Sequence, residues 1–243
     1  MKRGIPLGLA AFAAFLLFLI VRFPAQWAAG ALPRGVACTG LGGTLWSGTC
    51  SGLVVNGAAL GDLGWTFHPL RLLTGALSLD LSLSLPPGTA RGRIERGITG
   101  TITAENVHAD LPLDRSVLGA LPPGMRGTVQ ADLASMRVRG KRIEAIRGQI
   151  DVRGLTDGKG SLIGDYRLSF PGGPGKEPVG RLSDLGGPLE VQGTVRLTRE
   201  PGYLVEGTVA ARPGATPDMI NELRYLPTPD AQGRRPFSFE GTY

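Results

Sequence analysis

Histidine and cysteine are nearly missing from this 243-residue chain: it has two of each, His68 and His108, Cys38 and Cys50. A zinc or transition-metal site needs several such ligands converging on one point. The two histidines stand in unrelated local contexts, so no metal is expected. His68 precedes a proline at a strand end and reads as structural; His108 falls in an alternating stretch, on the solvent face. Nucleophile chemistry is equally thin. The string Ser47-Gly48-Thr49-Cys50-Ser51-Gly52 collects hydroxyls and a thiol with no base beside them. Glycine runs at 40–43 and 172–175 lack the lysine and following helix of a phosphate loop. Asp110 and Asp114 flank a Leu-Pro-Leu turn and read as solvated carboxylates. No residue is nominated as catalytic, no cofactor and no small-molecule substrate are expected, and the chain is read as a non-enzyme.

Charge is sparse as well, at 19% of residues, with a formal net of +6. Three of the basic residues, Lys2, Arg3 and Arg22, flank one apolar segment, which leaves the rest of the chain close to neutral. The remaining basic residues are scattered, densest at 137–142 and at Arg234-Arg235. Nucleic-acid binding needs clustered positive charge and is not expected. Outside the N-terminal apolar segment, long helices are not expected. The chain carries 38 Gly and 19 Pro, and in a helix interior these cost about 1 and about 3 kcal/mol each.

What is present begins with an uninterrupted apolar run at 5–21. At about 1.5 Å per residue, such a helix spans roughly 25 Å, the short end of what a bilayer core requires. Pro6 falls in its first turn, where a missing N–H does no harm. Basic residues before the run predict a cytoplasmic N-terminus, and Trp27 is placed to sit at the far interface. A cleavable signal peptide is the alternative, with Ala29 and Ala31 as the small residues of a cleavage site. The anchor is preferred because the run exceeds the usual length of roughly 7–15 residues and Arg22 and Pro24 follow it directly. The expected division is residues 1–4 cytoplasmic, 5–21 transmembrane anchor, 22–35 linker and 36–243 a β-rich domain in the periplasm. Cys38 and Cys50 then lie where disulfides persist. A bridge between them, or two separately buried thiols, are both compatible with the spacing.

Period-two patterning dominates the exported part. Leu77, Leu79, Leu81, Leu83 and Leu85 alternate with Ser78, Asp80, Ser82 and Ser84, which puts five leucines on one face of a strand. Similar alternation occurs at 127–133 (Val129, Ala131 and Leu133 inward), 143–152, 162–170, 189–197 and 203–210. One apolar face per strand predicts an antiparallel sheet covering a single core face. Pro86-Pro87-Gly88, Pro122-Pro123-Gly124 and Asp157-Gly158 mark turns. The Gly- and Pro-rich stretch 170–188 reads as a mobile surface loop. Two short helices are expected, at 69–73 and, after Thr216 as N-cap, at 217–225. The fold class is therefore mainly β: a curved, open antiparallel sheet behind one transmembrane helix.

Two segments carry a recognisable signature. The first is Leu41-Gly42-Gly43-Thr44-Leu45-Trp46-Ser47-Gly48. The second begins Leu60-Gly61-Asp62-Leu63-Gly64-Trp65 and continues Thr66-Phe67-His68-Pro69-Leu70-Arg71-Leu72-Leu73-Thr74-Gly75. Placed shortly after an N-terminal anchor and followed by an alternating strand, they resemble protein N of the type II (general) secretion pathway. The likeness is strongest over residues 1–90. It implies an accessory inner-membrane component, single-pass, that supports movement of folded proteins across the outer membrane alongside other inner-membrane and periplasmic subunits. The motif residues Gly43, Thr44, Leu45, Trp46, Gly48, Trp65, Pro69 and Gly75 read as a structural element. Glycines suit turns or close backbone approach, and each tryptophan buries up to about 150–250 Å² against a sheet. A rival expectation is a lipid-handling envelope protein of the AsmA-like kind, whose leucine-lined sheet forms an apolar trough.

Overall fold

The computed structural model describes residues 12, 15, 18–19, 21–32, 34–113, 124–173, 177–198 and 200–242. Thirteen strands follow one another: β1 (Val36–Gly43), β2 (Ser47–Val55), β3 (Ala58–Phe67), β4 (Ala76–Leu85), β5 (Gly88–Gly97), β6 (Thr101–Leu113), β7 (Arg126–Arg139), β8 (Arg142–Thr156), β9 (Leu162–Phe170), β10 (Val179–Gly186), β11 (Leu189–Leu197), β12 (Tyr203–Ala211) and β13 (Arg235–Gly241). They form a single sheet in strict chain order, every pair antiparallel, with β1 and β13 at its edges. The arrangement is an open meander.

Register sorts the side chains by face. One row of directly opposed residues runs Leu63, Leu83, Ala90, Ala109, Ala131, Ile150, Leu168, Leu182, apolar across eight strands. The row one residue away runs Ser82, Arg91, His108, Asp132, Gln149, Ser169, Arg181, Thr194 and is polar throughout. Neighbouring residues of a strand point to opposite faces, so the sheet has one greasy side and one wet side. The sheet bends. Cα atoms of β9 and β11 approach within 8 Å across the intervening β10, whereas two flat strand spacings total about 9.5 Å. The apolar face lies inside this bend, where Leu133, Ile146, Phe170, Val195 and Leu197 form the main buried cluster. Small residues make the bend passable. A Cβ on Gly180 would stand 2.7 Å from the Phe170 ring, and one on Gly207 would stand 2.8 Å from Phe237.

Strand ends alternate between two ends of the sheet. The end holding the turn at 44–47, the 3-10 helix Pro69–Thr74 and the turn at 98–100 is here the proximal end. The N-terminal segment reaches it: Pro24 forms a bridge with Thr44, and Leu45 N–H donates to Phe23 C=O at 3.1 Å. The following 3-10 helix, Ala25–Ala31, packs beside β1 with Ala25 buried. Most of the run 5–21 lies outside the described residues. Those described within it (Phe12, Phe15, Phe18, Leu19 and Val21) are helical and exposed. Among the described residues no helix is long and apolar enough to cross a membrane.

Two expectations need correction. The stretch 170–188 is not one surface loop, because it contains β10, which pairs with β9 and β11 on either side. Leu111, Pro112 and Leu113 are not a turn; they finish β6 opposite Val129, Thr128 and Gly127. Proline is tolerated there because the β5 ladder has ended at the Thr89–Asp110 pair, so the lost N–H breaks no ladder bond on that side. The second helix runs Pro217–Leu223, shorter than expected, with the Thr216 hydroxyl accepting from the Met219 N–H at 3.3 Å.

Candidate interaction surface

The two halves of the sequence signature meet at the proximal end. Gly43, with φ of 85°, starts a tight turn closed by the Thr44 N–H donating to Ser47 C=O at 2.8 Å. The Thr44 hydroxyl accepts from the Ser47 N–H at 3.2 Å. Gly48 pairs with Trp65 across β2 and β3. A Cβ on Gly48 would stand 2.4 Å from the indole, so only glycine lets the ring lie flat over the strand. The indole N–H of Trp65 donates to Leu45 C=O at 3.2 Å, and the Phe67 N–H to Trp46 C=O at 2.6 Å. The Trp46 and Phe67 rings pack 5.2 Å apart. Pro69 opens the 3-10 helix and Gly75, with φ of 75°, closes it.

Behind the signature lies an apolar cavity of about 320 Å³, lined by Leu41, Leu53, Leu63, Trp65, Leu79 and Leu81 among others. Cys38 and Cys50 line it too, and they are joined in a disulfide with a Cα–Cα distance of 5.6 Å. A second apolar cavity of about 380 Å³ lies at the other end of the chain, between Leu155, Tyr166, Val205, Phe237 and Phe239. Burial pushes the Tyr166 hydroxyl up to about 12; it stays protonated and donates to Ile163 C=O at 3.0 Å.

The wet face is tied together by ion pairs. Asp151, buried, accepts two bonds from Arg167 at 2.7 and 2.6 Å and one from Arg153 at 3.1 Å. Arg167 foremost holds its carboxyl below the ordinary value. Asp80 is likewise lowered, by Arg93 and then by His68, whose Nε2 lies 2.6 Å away. His108, exposed, pairs with Asp132, and Gln130 donates to Asp110 at 3.4 Å. Asp114 lies outside the described residues. The histidines therefore sit on different cross-strand carboxylates, and among the described residues no group of three metal-ligating side chains comes together. The sequence does not show these pairs, because their partners are separated by whole strands and only register brings them opposite one another.

Comparison with known proteins identifies the family. The family model for type II secretion system protein N matches residues 34–238. The chain belongs to that family. It is similar to the type II secretion system protein N of Vibrio cholerae, 26% identical over 265 residues, and to that of Aeromonas hydrophila, 26% identical over 255 residues. In both cases 99% of each chain is covered. No solved structure matches. Members of the protein N family are components of the type II secretion system, and the matched span takes in the whole sheet up to β13. The proximal signature and the Cys38–Cys50 disulfide both lie within the matched span.

Proposed function

We propose that this chain is an accessory, structural inner-membrane component of the type II secretion system. Residues 5–21 cross the inner membrane once, the N-terminus stays cytoplasmic, and the sheet stands in the periplasm. There it supports transport of folded proteins across the outer membrane by contacting other inner-membrane and periplasmic subunits. The observation that carries this reading is the sheet itself, which ends in two edge strands, β1 and β13. An edge presents unpaired N–H and C=O groups on which another chain can add a strand. Pro236 restricts such pairing to the 237–241 half of β13, where Phe239 is exposed. Retention of the anchor is supported by Ala25, buried against β1, and by the Phe23–Leu45 hydrogen bond. A peptidase cut after Ala29 or Ala31 would strip a packed segment from the sheet.

A photo-crosslinker at Phe239 in cells running the secretion system is the test. Adducts with other secretion subunits are expected, together with periplasmic activity of a reporter enzyme fused after Tyr243. A cytoplasmic reporter, or adducts with lipid alone, would sink the assignment. The two apolar cavities motivate a second reading, a lipid trough. In that case lipid co-purifies with the chain and is lost on Leu81→Asp in a still-folded protein.

A further inference from the structure

The proximal end carries exposed apolar side chains that neither the fold nor the edges use. Leu70 and Leu73, on the 3-10 helix Pro69–Thr74, are 78% and 86% exposed, and Ile98, in the adjacent turn, is 89% exposed. Leu45 and Leu72 join them, both exposed. Gly75 places Ile98 against this helix, since a Cβ there would lie 3.5 Å from the isoleucine. Around these residues stand Arg71, Arg96, Arg139 and Lys141, all exposed. The acidic residues nearby, Glu95 and Glu144, are mostly covered and face Arg71 and Arg139 at 3.7 and 3.4 Å. At the opposite end, exposed Leu162 and Ile220 are interspersed with Asp157, Asp218 and Lys159.

We propose that the proximal end rests in the interfacial layer of the bilayer that the N-terminal apolar segment enters, with leucine and isoleucine tips among the headgroups and cations on anionic phosphates. Three observations choose lipid over a protein partner. The segment is stitched to this end by the Pro24–Thr44 bridge and the Leu45–Phe23 hydrogen bond. The helical residues just before it, Phe12, Phe15, Phe18 and Leu19, are exposed and need apolar surroundings. Protruding aliphatic tips mixed with arginine and lysine suit a membrane interface, whereas the core of a protein interface is depleted of charge. Trp27, 78% exposed with Phe23 edge-on at 6.0 Å, adds an indole of the kind found in interfacial belts. The sheet then stands on the membrane by its end, with β strands directed away and both edges clear of the lipid. This rests on the anchored reading above but is tested apart from it.

The full-length chain, reconstituted in vesicles of phosphatidylethanolamine with phosphatidylglycerol, is labelled with an environment-sensitive dye at Leu73→Cys, Ile98→Cys or Lys159→Cys. The native cysteines are bonded to each other and stay unlabelled. Nitroxide lipids should quench the dye at 73 and 98, with a blue shift, and leave 159 unchanged. Absence of quenching at 73 and 98, whether those dyes are wet or covered by protein, overturns the proposal. Alkaline carbonate extraction reads the anchor separately. Extraction with quenching would remove the anchor and keep the docked end; retention without quenching would do the reverse. Arg71→Glu with Lys141→Glu should reduce quenching at 73, and an unchanged signal would overturn the role given to the cations.

Discussion

At the scale of single residues, two kinds of position hold this sheet: glycines under aromatic rings and carboxylates between arginines. Gly48 lies under Trp65 and Gly207 under Phe237. A methyl group at either must displace a large ring or backbone. Gly48→Ala is expected to cost about 1–3 kcal/mol, the usual cost of overpacking, read as a lowered midpoint in urea with an unchanged slope. Asp151 gives the pH signal. Its carboxyl is held below the ordinary 3.8 by Arg167, so it binds fewer protons folded than unfolded and stability rises with pH there. That stabilisation is complete above about pH 4 and is lost as pH falls through the depressed folded value. Asp151→Asn should cost about 1.5–3 kcal/mol, because Arg167 loses its charged hydrogen-bond partner while Arg153 keeps Asp165, and should flatten the acid limb of melting temperature against pH.

The elements were unevenly legible from sequence. Strands with a clean apolar stripe, such as β4, β9 and β11, announce themselves. β10 does not, because glycines and prolines surround it and Gly180 occupies the inward position that a large residue would mark; the room goes to Phe170 instead. Pro112 concealed the end of β6 for the same kind of reason, since its tolerance depends on where β5 stops. The signature could be read as structural, but its meeting at one end could not, because Trp65 finds Leu45 only through the register of β2 and β3. The sequence marks 69–73 as a short helix, but nothing in it tells that Leu70, Leu72 and Leu73 stay exposed. At this scale the disulfide is the staple to remove: Cys38→Ser with Cys50→Ser should lower stability by about 2–4 kcal/mol. Reducing agent should shift the melting temperature of the native chain and leave the double variant unchanged.

For the whole molecule, the governing fact is that each strand contacts the one before and the one after. Stability in such an array is largely a sum of neighbour terms, and distant parts respond separately. Phe170→Ala removes the ring at the centre of the main cluster and should cost about 3–5 kcal/mol. Hydrogen exchange should then accelerate through β7 to β12, while β1 to β4, around the disulfide, keep their protection. Equal acceleration across all thirteen strands would show one cooperative unit.

The meander order also bears on how the sheet is made. On the proposed periplasmic placement, a chain threaded through a translocation pore amino end first delivers β1, then β2, then β3, and each newcomer finds its hydrogen-bonding template already waiting. No strand has to be stored unpaired until a distant partner arrives, and the cysteines that lock the first hairpin are among the earliest residues to emerge. Construction can proceed like laying planks, each nailed to the last, while synthesis of the far end is still under way.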